Sequence, residues 1–320
     1  MNLKKILSLS VLAATLFAGS FLCDSEPAFA KTKISVPEFT DDLSYKDKAD
    51  AAIKDYLKSL PKASGDYQSL KQPILIQGAM NSEIEKLIRV LKNPVVYNYR
   101  NFIYFAGTYK DYPVVISRTE QGLSNSAVAT ILAVEKFNPI VVINQGTAGS
   151  HTPSVSVGEI VVGERYVPIS AVKTNYQSVG TGVKYEEQEL RGTYAYNENV
   201  GEFTLEKEYS GDKKMIEIAE ELGKTTPFSV VFGTIGSADA WYRSVDHVNF
   251  MNKTYGTLCE DMETQSVAQV CKNVGLPFVG IRVMSDNITV DEKYYPSTAN
   301  ICQQFILLFT DKYISDVLTK

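Results

Sequence analysis

The chain has 320 residues, 44% hydrophobic and 22% charged, the balance of a globular protein with a sizeable core. Lys and Arg number 32 against 37 Asp and Glu, giving −5 with no basic run. Nucleic acid is therefore excluded as the main partner, because binding a phosphate backbone needs clustered positive charge. Two histidines, His151 and His247, leave little material for a multi-histidine metal site or a histidine relay. No metal and no cofactor is expected.

Residues 1–30 have the form of a secretory signal peptide. Lys4 and Lys5 precede an apolar stretch from Ile6 to Leu22, and Ala28-Phe29-Ala30 closes it in a small-x-small cleavage pattern. Ser8, Ser10, Gly19 and Ser20 interrupt the stretch, which argues against stable membrane insertion. Leu22, where lipoprotein processing prefers a small residue, argues against an anchor through Cys23. The expectation is export to the periplasm, the cell surface or the medium. Cys259, Cys271 and Cys302 then remain. Three cysteines cannot all pair, so at least one free thiol is expected and a disulfide scaffold is excluded.

Residues 31–72 form a polar N-terminal extension. Ala49, Ala52, Ile53, Tyr56, Leu57 and Leu60 fall at helical spacing and predict an exposed or loosely docked helix. From residue 73 to 320 the pattern is that of one α/β domain. Pro73 introduces Ile74-Leu75-Ile76, a continuous apolar run of the buried parallel-strand kind. Ser82 and Glu85 have capping-box spacing before a helix carrying Ile84, Leu87, Ile88 and Leu91. Val114–Ile116 predicts a strand and Ser124–Phe137 a helix. Ile140–Ile143 runs as a strand into Gly146-Thr147-Ala148-Gly149, and Val157–Val162 predicts another. Residues 170–212, polar and rich in tyrosine, predict an insertion or loop. A helix over Lys213–Leu222, a strand over Ser229–Ile235, a helix over Glu263–Val274, a strand over Phe278–Val283 and a closing helix over Ala299–Leu318 complete the chain.

In open α/β sheets ligands sit beyond the carboxyl ends of the strands. Those ends carry Gly78 to Glu83, Gly146-Thr147, Ser237 to Tyr242 and Ser285-Asp286. Neither a P-loop nor a G-x-G-x-x-G fingerprint is present.

Six segments now stand in order: Gln77-Gly78-Ala79-Met80-Asn81-Ser82-Glu83, Ile143-Asn144-Gln145-Gly146-Thr147-Ala148-Gly149, Val157–Val162, Ser237-Ala238-Asp239-Ala240-Trp241, Asp261-Met262-Glu263 and Arg282-Val283-Met284-Ser285-Asp286. Together they resemble the nucleoside phosphorylase superfamily, and within it 5′-methylthioadenosine/S-adenosylhomocysteine nucleosidases, over about residues 73 to 318. The resemblance implies a three-layer αβα sandwich around a mixed β-sheet, a small-molecule nucleoside substrate and a homodimer. It places Asp286 as the acid that protonates the purine, with Ser285 orienting it, and Glu83 as the carboxylate that activates water. It places Glu263, Met262 and Thr147 at the ribose, Trp241 and Tyr242 at the base, and Met80 and Gln121 at the 5′ group. Arg282 is expected to be structural. Read by residue type alone, the alternative for Glu83 is a first-turn acid complementing a helix dipole, and for Met262 a core methionine.

Phosphorolysis needs several cations to hold phosphate. The related phosphorylases place arginines where this chain has Ser82 and Asn144, so water is the expected nucleophile. Asn98-Tyr99-Arg100 with Phe105–Lys110 is the one segment that resembles a phosphorylase. Thr119-Glu120-Gln121-Gly122, where the nucleosidases have a more apolar run, implies a more polar 5′ pocket, and the base-proximal loop near Pro168-Ile169-Ser170 also departs from theirs. The expectation is an exported purine nucleosidase releasing adenine from 5′-substituted adenosines. The alternatives are a phosphate-dependent phosphorylase and a non-catalytic binding or storage protein on the same fold.

Overall fold

The computed structural model describes residues 34–319, so the expected signal peptide and Cys23 lie outside the described residues. In chain order the elements are α1 (Tyr45–Ser59), β1 (Ile74–Gly78), α2 (Asn81–Arg89), β2 (Lys92–Tyr99), β3 (Phe102–Tyr109), β4 (Tyr112–Arg118), α3 (Leu123–Phe137), β5 (Val141–Ser150) and β6 (Ile160–Pro168). Then come β7 (Val172–Lys173), β8 (Glu189–Leu190), β9 (Thr193–Asn197), β10 (Glu202–Glu206), β11 (Tyr209–Ser210), α4 (Lys213–Thr225) and β12 (Val230–Ser237). The chain closes with α5 (Val245–Tyr255), β13 (Thr257–Asp261), α6 (Thr264–Val274), β14 (Phe278–Asp286) and α7 (Ala299–Tyr313).

The central sheet is mixed. β1 lies parallel between β4 and β5, with Ile74 opposite Val114 and Val141. The antiparallel strands β3 and β2 extend it outward from β4. On the other side β5 pairs with β14 in parallel and, through its last residues, with β13 in antiparallel. β14 also pairs with β6, β6 with β12, and β12 with β13. These five strands therefore close on one another, and the sheet rolls at that end rather than remaining open.

Alternation along β1 explains the layers: side chains point to opposite faces at every step. Ile74 and Ile76 join Ile84, Leu87, Phe305 and Phe309 under α2 and α7. Leu75 joins Val115, Val142, Ala133 and Val267 under α3 and α6. All five residues of β1 are buried, as the continuous apolar run requires. The fold is the expected α/β architecture of helices on both faces of a mixed sheet.

Several local readings need correction. α1 is docked rather than loose: Ala49 and Ile53 are buried, Asp50 accepts a hydrogen bond from Asn81 Nδ2 at 2.8 Å, and residues 35–320 form one compact unit. The Ser82–Glu85 capping pair does not form. Met80 is the N-cap residue of α2 and Glu83 its third position, while Glu85 pairs with Arg89 on the surface. Val157-Gly158 belongs to a turn, closed by the Glu159 N–H on the Ser156 carbonyl at 3.1 Å, and β6 starts only at Ile160. Residues 170–212 carry two small hairpins, β7–β8 and β9–β10. Cys259, Cys271 and Cys302 are all free and buried.

Candidate active site

The carboxyl ends of β1, β5, β12, β13 and β14 surround a cleft that opens to solvent, a concave place of the kind small-molecule ligands occupy. Met80, Glu83, Gln121, Thr147, Trp241, Met262, Glu263, Ser285 and Asp286 all line it. Tyr242 does not. Its ring packs against His247 at 4.6 Å between centroids, inside a small apolar cluster with Val167, Ile169, Ala238, Val248 and Met251. Only its backbone N–H faces the site.

Glu83 comes from the first turn of α2 and folds back over the end of β1. Its Oε2 accepts the N–H groups of Ala79 at 2.9 Å and Met80 at 3.1 Å. Its Oε1 accepts the Thr147 N–H at 2.9 Å and the Thr147 hydroxyl at 3.0 Å. Close approach of β5 makes this possible, since a Cβ on Gly146 would lie 2.7 Å from Glu83 Oε1. Helix-start acid and site carboxylate are thus one residue, 3% exposed.

Glu263 stands at the start of α6, where β13 delivers Asp261-Met262-Glu263. Arg282, 1% exposed, secures this corner from β14. Its Nε donates to Asp261 Oδ2 at 2.5 Å, its Nη2 donates to Asn144 Oδ1 and lies 3.7 Å from Glu263 Oε2. Ser237 and Thr264 hydroxyls also donate to Asp261. Arg282 is therefore structural, as expected, and Asn144 is part of its cradle. Burial pushes the Glu263 carboxyl up, Asp261 adds to the rise and Arg282 opposes it. The Gly122 N–H donates to Glu263 Oε1 at 3.2 Å from a backbone at φ +110°, a conformation reserved in practice for glycine.

Asp286 ends β14 and is 3% exposed. Ser285 Oγ lies 2.9 Å from its Oδ1 and 3.1 Å from the Ala148 carbonyl oxygen. Trp241 Nε1–H donates to Oδ2 at 3.3 Å, and Arg243 Nη1 stands 3.5 Å from the same oxygen. Burial raises the Asp286 carboxyl above the ordinary aspartate range, against the lowering effect of Ser285, Trp241 and Arg243. Trp241 is 53% exposed and meets Tyr294 edge-on at 5.5 Å, which makes a planar wall at the mouth.

Glu120 turns away from the cleft to pair with Arg118 at 2.9 Å, so Gln121 alone supplies the added polarity. Arg100 sits in the β2–β3 turn, over the Tyr99 ring, and does not line the cleft. Sequence reasoning missed Lys46, Glu260, Asp261 and Tyr294 as cleft residues. Glu260 had a signal, since a pair of acids ending the apolar run Leu258-Cys259 is unusual at a buried strand end. Lys46 had none: it sits on a polar helix face more than thirty residues before Glu83.

A buried acid, an anchored carboxylate and an aromatic wall thus stand together at the strand ends of an α/β sheet. The phosphorylase superfamily profile matches residues 73–314, and the chain belongs to that superfamily. A 5′-methylthioadenosine/S-adenosylhomocysteine nucleosidase of Bacillus pumilus is 30% identical over 216 residues, 67% of this chain and 85% of that protein. The Neisseria meningitidis nucleosidase of the same name, solved with methylthio-immucillin-A, superimposes with a TM-score of 0.61 at 24% identity, covering 76% of this chain and all of that one. Futalosine hydrolase of Helicobacter pylori superimposes with a TM-score of 0.60 at 19% identity, covering 75% of this chain and 98% of that one. Both structures share the fold.

Proposed function

We propose that this protein is a purine nucleosidase that uses water to cleave the N-glycosidic bond of 5′-substituted adenosines of the methylthioadenosine and adenosylhomocysteine type, releasing adenine. The observation that carries the reading is the pairing of a buried, raised Asp286 with a four-bonded Glu83 across one cleft. Asp286 protonates N7 of the base as the bond to the ribose lengthens. Burial favours the neutral acid, and Ser285 orients it, its hydroxyl 2.9 Å from Asp286 Oδ1 and 3.1 Å from the Ala148 carbonyl oxygen. Glu83 takes a proton from the attacking water. Of its four donors only the Thr147 hydroxyl can rotate away, so the water enters at Oε1. Glu263 and Met262 hold the sugar, and Trp241 stacks on the base.

The charges lining the cleft speak for water over phosphate. Five acidic side chains, Glu83, Glu260, Asp261, Glu263 and Asp286, line it, and among the described residues Lys46 is the one lining cation. A phosphate nucleophile would meet repulsion there rather than the several cations it needs. Export through residues 1–30 and a homodimer belong to the same proposal, supported by the leader pattern and by the family resemblance. Adenine release from methylthioadenosine is measured in phosphate-free buffer and again with phosphate added. Equal rates are expected, and strict dependence on phosphate would overturn the reading. Cell fractionation and light scattering test export and the dimer.

A further inference from the structure

Glu260 has no part in that mechanism, yet it lines the cleft and is only 4% exposed. Its Oε1 accepts the Tyr242 backbone N–H at 2.7 Å. Its Oε2 lies at ion-pair distance, 3.3 Å, from His151 Nε2, and neither atom is satisfied by a hydrogen bond of good geometry. His151 is fixed from behind, where Nδ1 meets Thr257 Oγ1 at 2.8 Å. A buried carboxyl oxygen with unused bonding capacity in the wall of a cleft calls for a ligand group, since native proteins rarely leave such atoms unmatched.

Its place relative to Asp286 says which group. Glu260 and Asp286 each pair in register with Gly149 of β5, from opposite sides. They therefore stand one strand to either side of β5, with a residue lacking a side chain as the floor between them. A purine with a hydrogen bond at each end spans that interval. With N7 toward Asp286, its six-membered ring points toward Glu260.

We propose that Glu260, seated on His151, reads the six-membered-ring edge of the base. As an acid it donates to N1 of adenine, a bare acceptor. As a carboxylate it accepts the N1–H of a 6-oxopurine such as hypoxanthine. The cleft therefore takes both base classes, and a single proton sets the preference. This rests on the nucleosidase reading and deepens it to the class of base.

Burial pushes the Glu260 carboxyl up, countered by His151 and the Tyr242 N–H and reinforced by Asp286. Of the other ionisable groups nearby, His247 meets Tyr242 edge-on, Arg243 is held at Asp286, Cys259 is buried and Asp261 is committed to Arg282. Acidic pH therefore favours adenine, and rising pH shifts the preference toward the 6-oxopurine.

The test titrates the full chain with free adenine and free hypoxanthine, following the emission of Trp241, the single tryptophan. Base release from methylthioadenosine and from its 6-oxo counterpart is measured in parallel. Between about pH 5.5 and about pH 8.5 the adenine-to-hypoxanthine affinity ratio should fall at least about tenfold, as one proton allows. In Glu260→Gln that ratio should no longer depend on pH. A flat ratio in the unaltered protein, wild-type pH dependence in Glu260→Gln, or no binding of either base overturns the inference. Base release with a flat ratio removes the role of Glu260 and leaves the nucleosidase. A pH-dependent ratio without any base release removes the hydrolysis and leaves Glu260.

Discussion

Replacing Glu83 with Gln tests both the anchoring and the chemistry of that residue. The carboxylate accepts four hydrogen bonds, three from backbone N–H groups and one from the Thr147 hydroxyl. A glutamine keeps one acceptor oxygen. Its better orientation points that oxygen at Ala79 and Met80 and its amide at Thr147, where the hydroxyl can turn round and accept. The Thr147 N–H is then left without a partner. An orphaned buried donor costs about 1–3 kcal/mol, and the bonds that remain lose their charge assistance. The sum is roughly 2–5 kcal/mol. At about 2 °C per kcal/mol for a chain of this size, Tm should fall by about 4–10 °C. Loss of the base should also lower kcat by about 10²–10⁴-fold. Calorimetry and single-turnover adenine release read the two effects separately. A melting temperature within about 1 °C of the unaltered protein would show that the four bonds do not hold Glu83, and the reasoning would fail.

Asp286→Asn should lose activity by a similar factor, about 10²–10⁴-fold, without that loss of stability. The sign follows from the raised carboxyl: its contribution to stability is full below the ordinary aspartate range and is lost as pH rises through the folded-state value. The Tm difference between Asp286→Asn and the unaltered protein should therefore move in favour of the variant from about pH 4 to about pH 8; an unchanging difference would count against a raised Asp286. Arg282→Ala strands Asp261 as a buried charge and should cost about 3–5 kcal/mol, seen as a large drop in denaturant midpoint. Trp241→Ala should raise KM by the loss of about 1–3 kcal/mol of stacking while kcat changes less, and a fall in kcat alone would place the indole elsewhere in the reaction. Ile53→Ala, in the extension, should destabilise the whole unit by about 2–4 kcal/mol, and a silent substitution would mean that α1 is not part of the core.

The parallel strands were legible because burial on both faces writes an unbroken apolar run, and β1, β5 and β14 show one. β2 and β3 were not, since Asn93, Pro94 and Asn98 interrupt β2 and one face of an outer hairpin needs no apolar pattern. β13 escaped because Glu260 and Asp261 end a strand of five residues with charge. The Asp261 carboxyl tolerates burial through Arg282, a partner remote in sequence, which no local window can see. The same holds for the capping of α2. Ser82 and Glu85 have the spacing, but Glu83 has the partners, because β5 brings Thr147 to it from sixty-four residues away. Local rules place an acid at a helix start, and only the tertiary fold decides which acid.

The proposed mechanism asks one residue type to perform different tasks. Asp261 is clamped by a guanidinium and two hydroxyls, and is spent on holding Arg282. Glu83 is ringed by backbone donors and keeps one replaceable partner, which gives a base with a fixed direction. Asp286 is buried at the end of β14, and burial raises its carboxyl, which gives an acid. Environments that push like groups apart are what acid–base catalysis requires when histidine is absent from the reacting centre. Five carboxylates lining a single cleft would otherwise repel one another, so the division of partners is a condition of the fold before it is a condition of the chemistry. That is why Arg282, which touches no part of the proposed substrate, is among the most deeply buried large side chains: it neutralises one corner of the cleft and leaves the two reacting carboxyls free to differ.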